Sequence, residues 1–211
     1  MRNGLILSSD ILAKHRVMIA GMPPVTREET IRKVSFFDAY GEVCIYLLPF
    51  VKPSTVKQIT GTDEKGNNLS YDETLHRLLA RETVDTVERN VLVSHQFYLP
   101  VGKSADEVER MDSEIRTVGN IDEVSVEVLQ LFDYAALGHI HKPMKVGSEV
   151  ARYCGTPLAC SVSEAGQQKG VIEVELGAKR SGTDQGIAAA SAAPDPGAAG
   201  NGSGSAGAGL R

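Results

Sequence analysis

Apolar residues along this chain fall in short runs broken by turn residues, and their spacing alternates between the strand period of two and the helical period of 3.6. Val17-Met18-Ile19-Ala20 opens the series and predicts a strand closed by Gly21 and the Pro23-Pro24 pair, which cannot continue a sheet interior. Lys33 to Asp38 and Glu42 to Leu48, rich in Val, Phe, Ile and Tyr and separated by Ala39-Tyr40-Gly41, predict a hairpin. Pro49 and Pro53 end its second strand.

Ser70 and Glu73 have the S-x-x-E spacing of a helix start, in which each side chain can satisfy the other residue's free backbone N–H. Tyr71, Leu75, Leu78 and Leu79 follow on one helical face, predicting a helix that runs to about Arg89. Val91-Leu92-Val93 then reads as a strand covered on both faces, with His95 just past its end. A polar stretch from Gly102 to Arg116 precedes a second helical pattern over about Asp122 to Phe132. That helix delivers the chain to a second buried-strand run, Tyr134-Ala135-Ala136-Leu137, followed at once by Gly138-His139-Ile140-His141. Val150 to Cys154 and Val171 to Leu176 read as further strands, and no internal repeat is visible. Hairpin, helix and buried strand together predict an α/β layered domain with a mixed sheet.

Composition divides the 211 residues in two. Residues 177 to 211 hold nine of the 21 glycines and ten alanines, and no aromatic residue. Such a segment cannot bury enough apolar surface to offset its ordering entropy, so it is expected to be disordered. Lys179, Arg180, Arg211, Asp184 and Asp195 belong to this tail, so of 22 basic and 27 acidic residues the body, 1 to 176, keeps 19 and 25. An acidic body argues against a broad cationic surface for nucleic acid, which would bind by counterion release, but not against a nuclease that works through metal ions. No apolar run approaches the roughly 18 residues that cross a bilayer, and the N-terminus lacks a secretory pattern. Cys44, Cys154 and Cys160 have no CxxC spacing and read as small buried thiols of a reducing compartment, pointing to the cytoplasm.

The chemistry rests on histidine. His95 follows one buried strand and His139 and His141 follow another, and in open α/β sheets ligands bind in the crevice beyond the carboxyl ends of the strands. In an extended segment two residues two apart point to the same side, and the small Gly138 permits a sharp exit from the sheet. Neutral imidazole is a good ligand for Mn, Fe, Zn or Ni and joins carboxylates in two-metal hydrolytic sites. On these residues alone the alternative, histidines that only satisfy loop hydrogen bonds, stays open.

His15 and His76 are expected at the surface, as are the charge runs Arg27-Glu28-Glu29 and Glu107 to Arg110. Arg152-Tyr153-Cys154-Gly155-Thr156-Pro157 is expected to shape a turn, with the lining of a substrate groove as its functional alternative. Ser8-Ser9 before Asp10 has no visible base partner for a nucleophilic role.

Four segments carry a longer resemblance: Tyr46 to Pro53, Asn90 to Phe97, Phe132 to Pro143, and Arg152 to Leu158 with Ser163-Glu164. In this order they resemble the SbcD nuclease subunits of the calcineurin-like metallophosphoesterases, over about residues 8 to 176. The resemblance implies that His95 matches the fourth metal motif of the family and His139 and His141 the fifth, Gly-His-x-His. His95 and His139 would then share one metal ion and His141 would bind the other. It further implies Mn-dependent exonucleolytic and endonucleolytic cleavage of DNA in end processing, replication and recombination. The implied partners are DNA and a coiled-coil ATPase, SbcC, with a homodimer inside a heterotetramer.

The Asp-x-His, Gly-Asp-x-x-Asp and Gly-Asn-His-Asp motifs that open the family are absent from this sequence. The family's C-terminal DNA-capping region is likewise replaced by the Gly/Ala tail after Leu176. The expected fold is therefore the C-terminal half of a calcineurin-like metallophosphoesterase layered fold, as a partial domain over 1–176 with a tail over 177–211. Without the bridging carboxylates the chain by itself is expected to be inactive.

Overall fold

A computed structural model describes residues 12, 15, 17–100, 102, 103, 122–179 and 187–194. Strands β1 (Arg32–Asp38) and β2 (Gly41–Leu48) form the predicted hairpin, in register from Arg32 opposite Leu47 to Asp38 opposite Gly41. Pro53 then occupies the first turn of helix α1 (Pro53–Thr60), where a missing backbone N–H costs nothing. Eight residues hold too little periodicity to announce this helix, and Pro53 starts an element as well as following a strand.

Helix α2 (Tyr71–Leu79) begins as predicted, with Ser70 Oγ accepting from the Glu73 N–H at 3.0 Å. It ends at Leu79 rather than near Arg89, because the apolar face stops there and Glu82 turns back to accept from the Ile31 N–H. The chain then enters β3 (Arg89–His95) and, after one residue, β4 (Phe97–Leu99).

The segment from Asp122 to Phe132 departs from expectation. It forms strand β5 (Glu123–Ser125) and a 3₁₀ turn (Val126–Leu131), not an α-helix. Val124, Val126 and Val128 are β-branched, which disfavours a helix, and Ser125 caps the turn while its N–H donates to Asp72. Strands β6 (Tyr134–Gly138), β7 (Met144–Val146), β8 (Ser148–Tyr153) and β9 (Gly170–Leu176) follow. Residues 17–20 lie outside any strand, contrary to expectation. They run across strand ends, tied there by the Arg32 guanidinium donating to the Ile19 carbonyl at 2.8 Å.

Six strands make one mixed sheet in the order β1-β2-β3-β6-β8-β7, in which β2, β3, β6 and β8 are parallel neighbours. This is the expected α/β architecture. One face carries Cys44, Tyr46, Leu48, Leu92, Ala135, Leu137, Ala151 and Tyr153, packed under Val56, Leu75, Leu78, Leu79, Val128 and Leu129 from the helical layer. The other face holds a smaller cluster of Val43, Val91 and Tyr134, covered by Val174 and Leu176 of β9. Among the described residues no helix is long and apolar enough to cross a membrane.

Strand β10 (Ile187–Pro194), inside the Gly/Ala-rich tail, pairs antiparallel with β9. The Lys179 ammonium also donates to the Glu88 carbonyl at 2.7 Å and to Asp133 at 2.8 Å. Of the tail expected to be disordered, the structure describes 177–179 and 187–194. A backbone ladder needs no apolar side chains, so β9 can add a strand of poor composition. Of the cysteines only Cys44 is buried, whereas Cys154 and Cys160 are exposed in the loop after β8. The readings of Ser8-Ser9-Asp10, of residues 104–116 with Glu107 to Arg110, and of the rest of the tail lie outside the described residues.

Tyr153 links the core to the end of β3. Fully buried, its hydroxyl accepts from the Tyr98 N–H at 2.6 Å and donates to the Gln96 carbonyl at 2.9 Å, fixing the bend between β3 and β4. Tyr153→Phe leaves the Tyr98 N–H without that acceptor. Urea denaturation should show a loss of about 1–3 kcal/mol, the usual cost of an unsatisfied buried donor.

Candidate functional site

Parallel pairing aligns the ends of β3 and β6, so that His95 stands opposite Gly138. A Cβ built on Gly138 would meet His95 Nδ1 at 2.8 Å. Glycine is thus required beside the His95 ring, and its role is to make room rather than to turn the chain. The backbone strain falls one residue later, on His139, whose φ of 111° is disfavoured for a side chain bearing a Cβ. This turn ends β6 and breaks the simple alternation expected for Gly-His-Ile-His.

The three predicted histidines nevertheless gather. The rings of His95 and His139 meet edge to face with centroids 5.4 Å apart. Phe50 stacks flat on His139 at 6.0 Å, and Phe97 contacts it at 5.9 Å. Burial lowers the pKa of His95, and the charge of nearby His141 lowers it further. An imidazole that already titrates near 6.5 in water is thereby kept neutral at neutral pH, with a lone pair free for ligation.

Each histidine of the second motif faces its own carboxylate. His139 Nε2 lies 3.9 Å from buried Asp122, and His141 Nδ1 lies 3.0 Å from fully buried Glu164. Both carboxylates were missed from sequence. Asp122 sits in a segment whose pattern suggests a helix, and Glu164 lies 23 residues from His141 with no local signal of burial. His15 and His76 are exposed, as expected, and so is Arg27-Glu28-Glu29. A cleft of about 420 Å³ opens over the ends of β2, β3 and β6, lined by Met18, Leu48, His95, Gly138 and Cys154 among others. Cys154 thus takes the expected Arg152 to Pro157 turn to the cleft edge.

The donor set suits a metal ion in part. Imidazoles at strand ends are appropriate ligands, and a carboxylate beside His141 is the usual support of a ligating histidine. Among the described residues, however, the only His, Cys, Asp and Glu donors that converge in threes are His141, Cys160 and Glu164. Among the described residues no carboxylate joins His95 and His139 in such a group.

No family model matches the chain. Over 137 residues it is 28% identical to the SbcD subunit of the nuclease SbcCD from Staphylococcus epidermidis. The chain is similar to a nuclease subunit of a complex. The match takes in 63% of this chain and 34% of the relative, so the chain spans about a third of the relative's length.

Strain at His139 has a measurable sign. Glycine accepts a positive φ that alanine does not, so His139→Ala should be less stable than His139→Gly by about 1 kcal/mol, the reverse of their order at ordinary positions. Equal stabilities in urea would show that the φ of 111° is not kept in solution.

Proposed function

We propose that this chain is an SbcD-like subunit of a metal-dependent DNA nuclease and that it contributes His95, His139 and His141 to the metal site. The observation that carries the reading is the gathering of these imidazoles at the aligned ends of β3 and β6, in a chain similar to a nuclease subunit. Manganese is the proposed metal and DNA phosphodiesters the proposed substrate, in end processing during replication and recombination in the cytoplasm.

Divalent ions, when bound, supply activated water and stabilise charge on a phosphoryl group displaced in line. The chain's own residues do the rest. His95 offers a neutral nitrogen, Phe50 and Phe97 fix the plane of His139, and Glu164 orients the ring of His141. An SbcC-type coiled-coil ATPase is the proposed partner, with two copies of the nuclease subunit in a heterotetramer.

The chain by itself is proposed to be inactive, because its sequence contains none of the three aspartate- and asparagine-bearing motifs that complete such a site. A second reading is a noncatalytic module that docks on the ATPase or completes a chain carrying those motifs. The similarity to one component of a complex favours keeping it.

Mn²⁺-dependent hydrolysis of linear duplex DNA tests both readings. The expected result is no cleavage by the chain alone. Cleavage should appear when a chain bearing Asp-x-His and Gly-Asn-His-Asp and an SbcC-type ATPase are added, and it should disappear with His139→Ala. Activity of the purified chain alone that His139→Ala abolishes would overturn the inactivity. Reconstituted cleavage unaffected by His139→Ala would leave the noncatalytic module. Hydrolysis of a cyclic nucleotide in place of DNA would overturn the nuclease.

A further inference from the structure

The loop after β8 closes around His141 through a network of polar contacts. Glu164, at its centre, is fully buried and accepts from donors on every side. Its Oε1 lies 3.0 Å from His141 Nδ1 and 3.2 Å from the Ser161 hydroxyl. Its Oε2 accepts from the Lys169 ammonium at 2.7 Å, the Cys160 N–H at 3.1 Å and the Thr156 hydroxyl at 3.3 Å. Lys169 donates in addition to the His141 carbonyl at 3.0 Å, and the Thr156 N–H donates to the same carbonyl at 3.2 Å. The loop therefore holds both the backbone and the ring of one histidine. It can lie this close because Gly155, at a φ of +75°, has no Cβ: one built there would stand 2.6 Å from the His141 carbonyl oxygen.

We infer that Glu164, anchored by Lys169, is a positioning residue that keeps the proton of His141 on Nδ1, the tautomer in which Nε2 is the nitrogen that can ligate. A carboxylate surrounded by an ammonium and a backbone N–H can only accept, so the ring nitrogen opposite it must donate. Fixing the tautomer in this way is how a carboxylate supports a metal-ligating imidazole, and loss of such support typically lowers metal affinity about 10- to 100-fold. The inference rests on the proposed ligand role of His141 for its purpose, but not for the tautomer itself.

The same atoms allow a competing arrangement, since ligand atoms of His141, Cys160 and Glu164 all lie within 4.8 Å of one another. The donors already present oppose it. A cation on Glu164 would have to displace the Lys169 ammonium 2.7 Å away, and the Cys160 thiol is turned to the Leu158 carbonyl.

Imidazole ¹⁵N spectra of the full chain, recorded near pH 8.5, about two units above the ordinary histidine pKa, read the tautomer directly. The His141 signal is assigned by its loss in His141→Gln. The wild-type ring should be protonated on Nδ1. In Glu164→Gln the amide oxygen should turn to the Lys169 ammonium and the Cys160 N–H, placing the amide NH₂ against Nδ1. The tautomer should then invert to Nε2–H.

A wild-type ring protonated on Nε2 overturns the inference, and that measurement needs no variant to fold. An unchanged tautomer in a folded Glu164→Gln overturns it as well. So does a thiolate-to-metal absorption band on adding Cd²⁺ that is lost in Cys160→Ser, because the trio would then be a metal site. Mn²⁺ titration followed by electron paramagnetic resonance separates the two proposals. A wild-type chain that shows the Nδ1–H tautomer but no Mn²⁺ binding keeps the positioning role and removes the ligand role. If both hold, Glu164→Gln should weaken Mn²⁺ binding by about 10- to 100-fold.

Discussion

Two adjacent parallel strands can bring side chains from distant parts of a chain to one point only if their register is fixed, because a slip of one residue sends every side chain to the opposite face. Here Val91 pairs with Tyr134 and Leu92 with Ala135, one face packed under the helical layer and the other covered by β9 at Val91 and Tyr134. The alternation that puts Leu92 and Ser94 on the helix-covered face puts Val91, Val93 and His95 on the other. His95 and Gly138 therefore end side by side, and the ring of His95 occupies space that any other residue at 138 would fill. The position of the site is a consequence of sheet packing, and the place of the His95 ring is a consequence of the missing Cβ at Gly138.

The ends of the strands are secured by different means. At the start of β3, Arg89 is buried and its guanidinium donates to Asp38, to the Gly41 carbonyl and to the Leu176 carbonyl. One side chain thus joins the hairpin, β3 and β9. These bonds hold the Asp38 carboxyl below its usual range. Asn90 and Asp133 continue the network, with Asp133 accepting from the Asn90 N–H and from Lys179. At the other end polar bonds fix the segments that follow the strands. Tyr153 holds the β3–β4 bend, while the loop after β8 holds His141.

How far the sequence foretold this differs by element. The hairpin, β3, β6 and the start of α2 were legible because local signals agreed with burial: alternation, continuous apolar runs and an S-x-x-E start. The segment 122–132 was misread because its spacing is compatible with a helix while its valines favour a strand, and pairing with β4 decided the outcome. Strand β10 was illegible for the opposite reason, since nothing in an Ala-rich sequence requires a strand and the edge of β9 supplies the template. The three histidines were found through their position at strand ends. Asp122 and Glu164 were not assigned, because a carboxylate's role as a neighbour of histidine depends on contacts made across 17 and 23 residues of chain.

That separation of histidines from carboxylates bears on what the chain can do with a cation. A two-metal site gains its affinity from anionic oxygens shared between the ions, and neutral imidazoles only complete the coordination. Among the described residues Asp122 and Glu164 each lie beside one histidine, and Glu164 is already neutralised by Lys169. Neither faces His95 in any converging set among the described residues. Acidic groups used as supports set tautomers and ring planes, but they leave little negative charge at the open side where an ion would sit. A metal ion on the three proposed ligands would therefore need its charge balanced by groups beyond these residues.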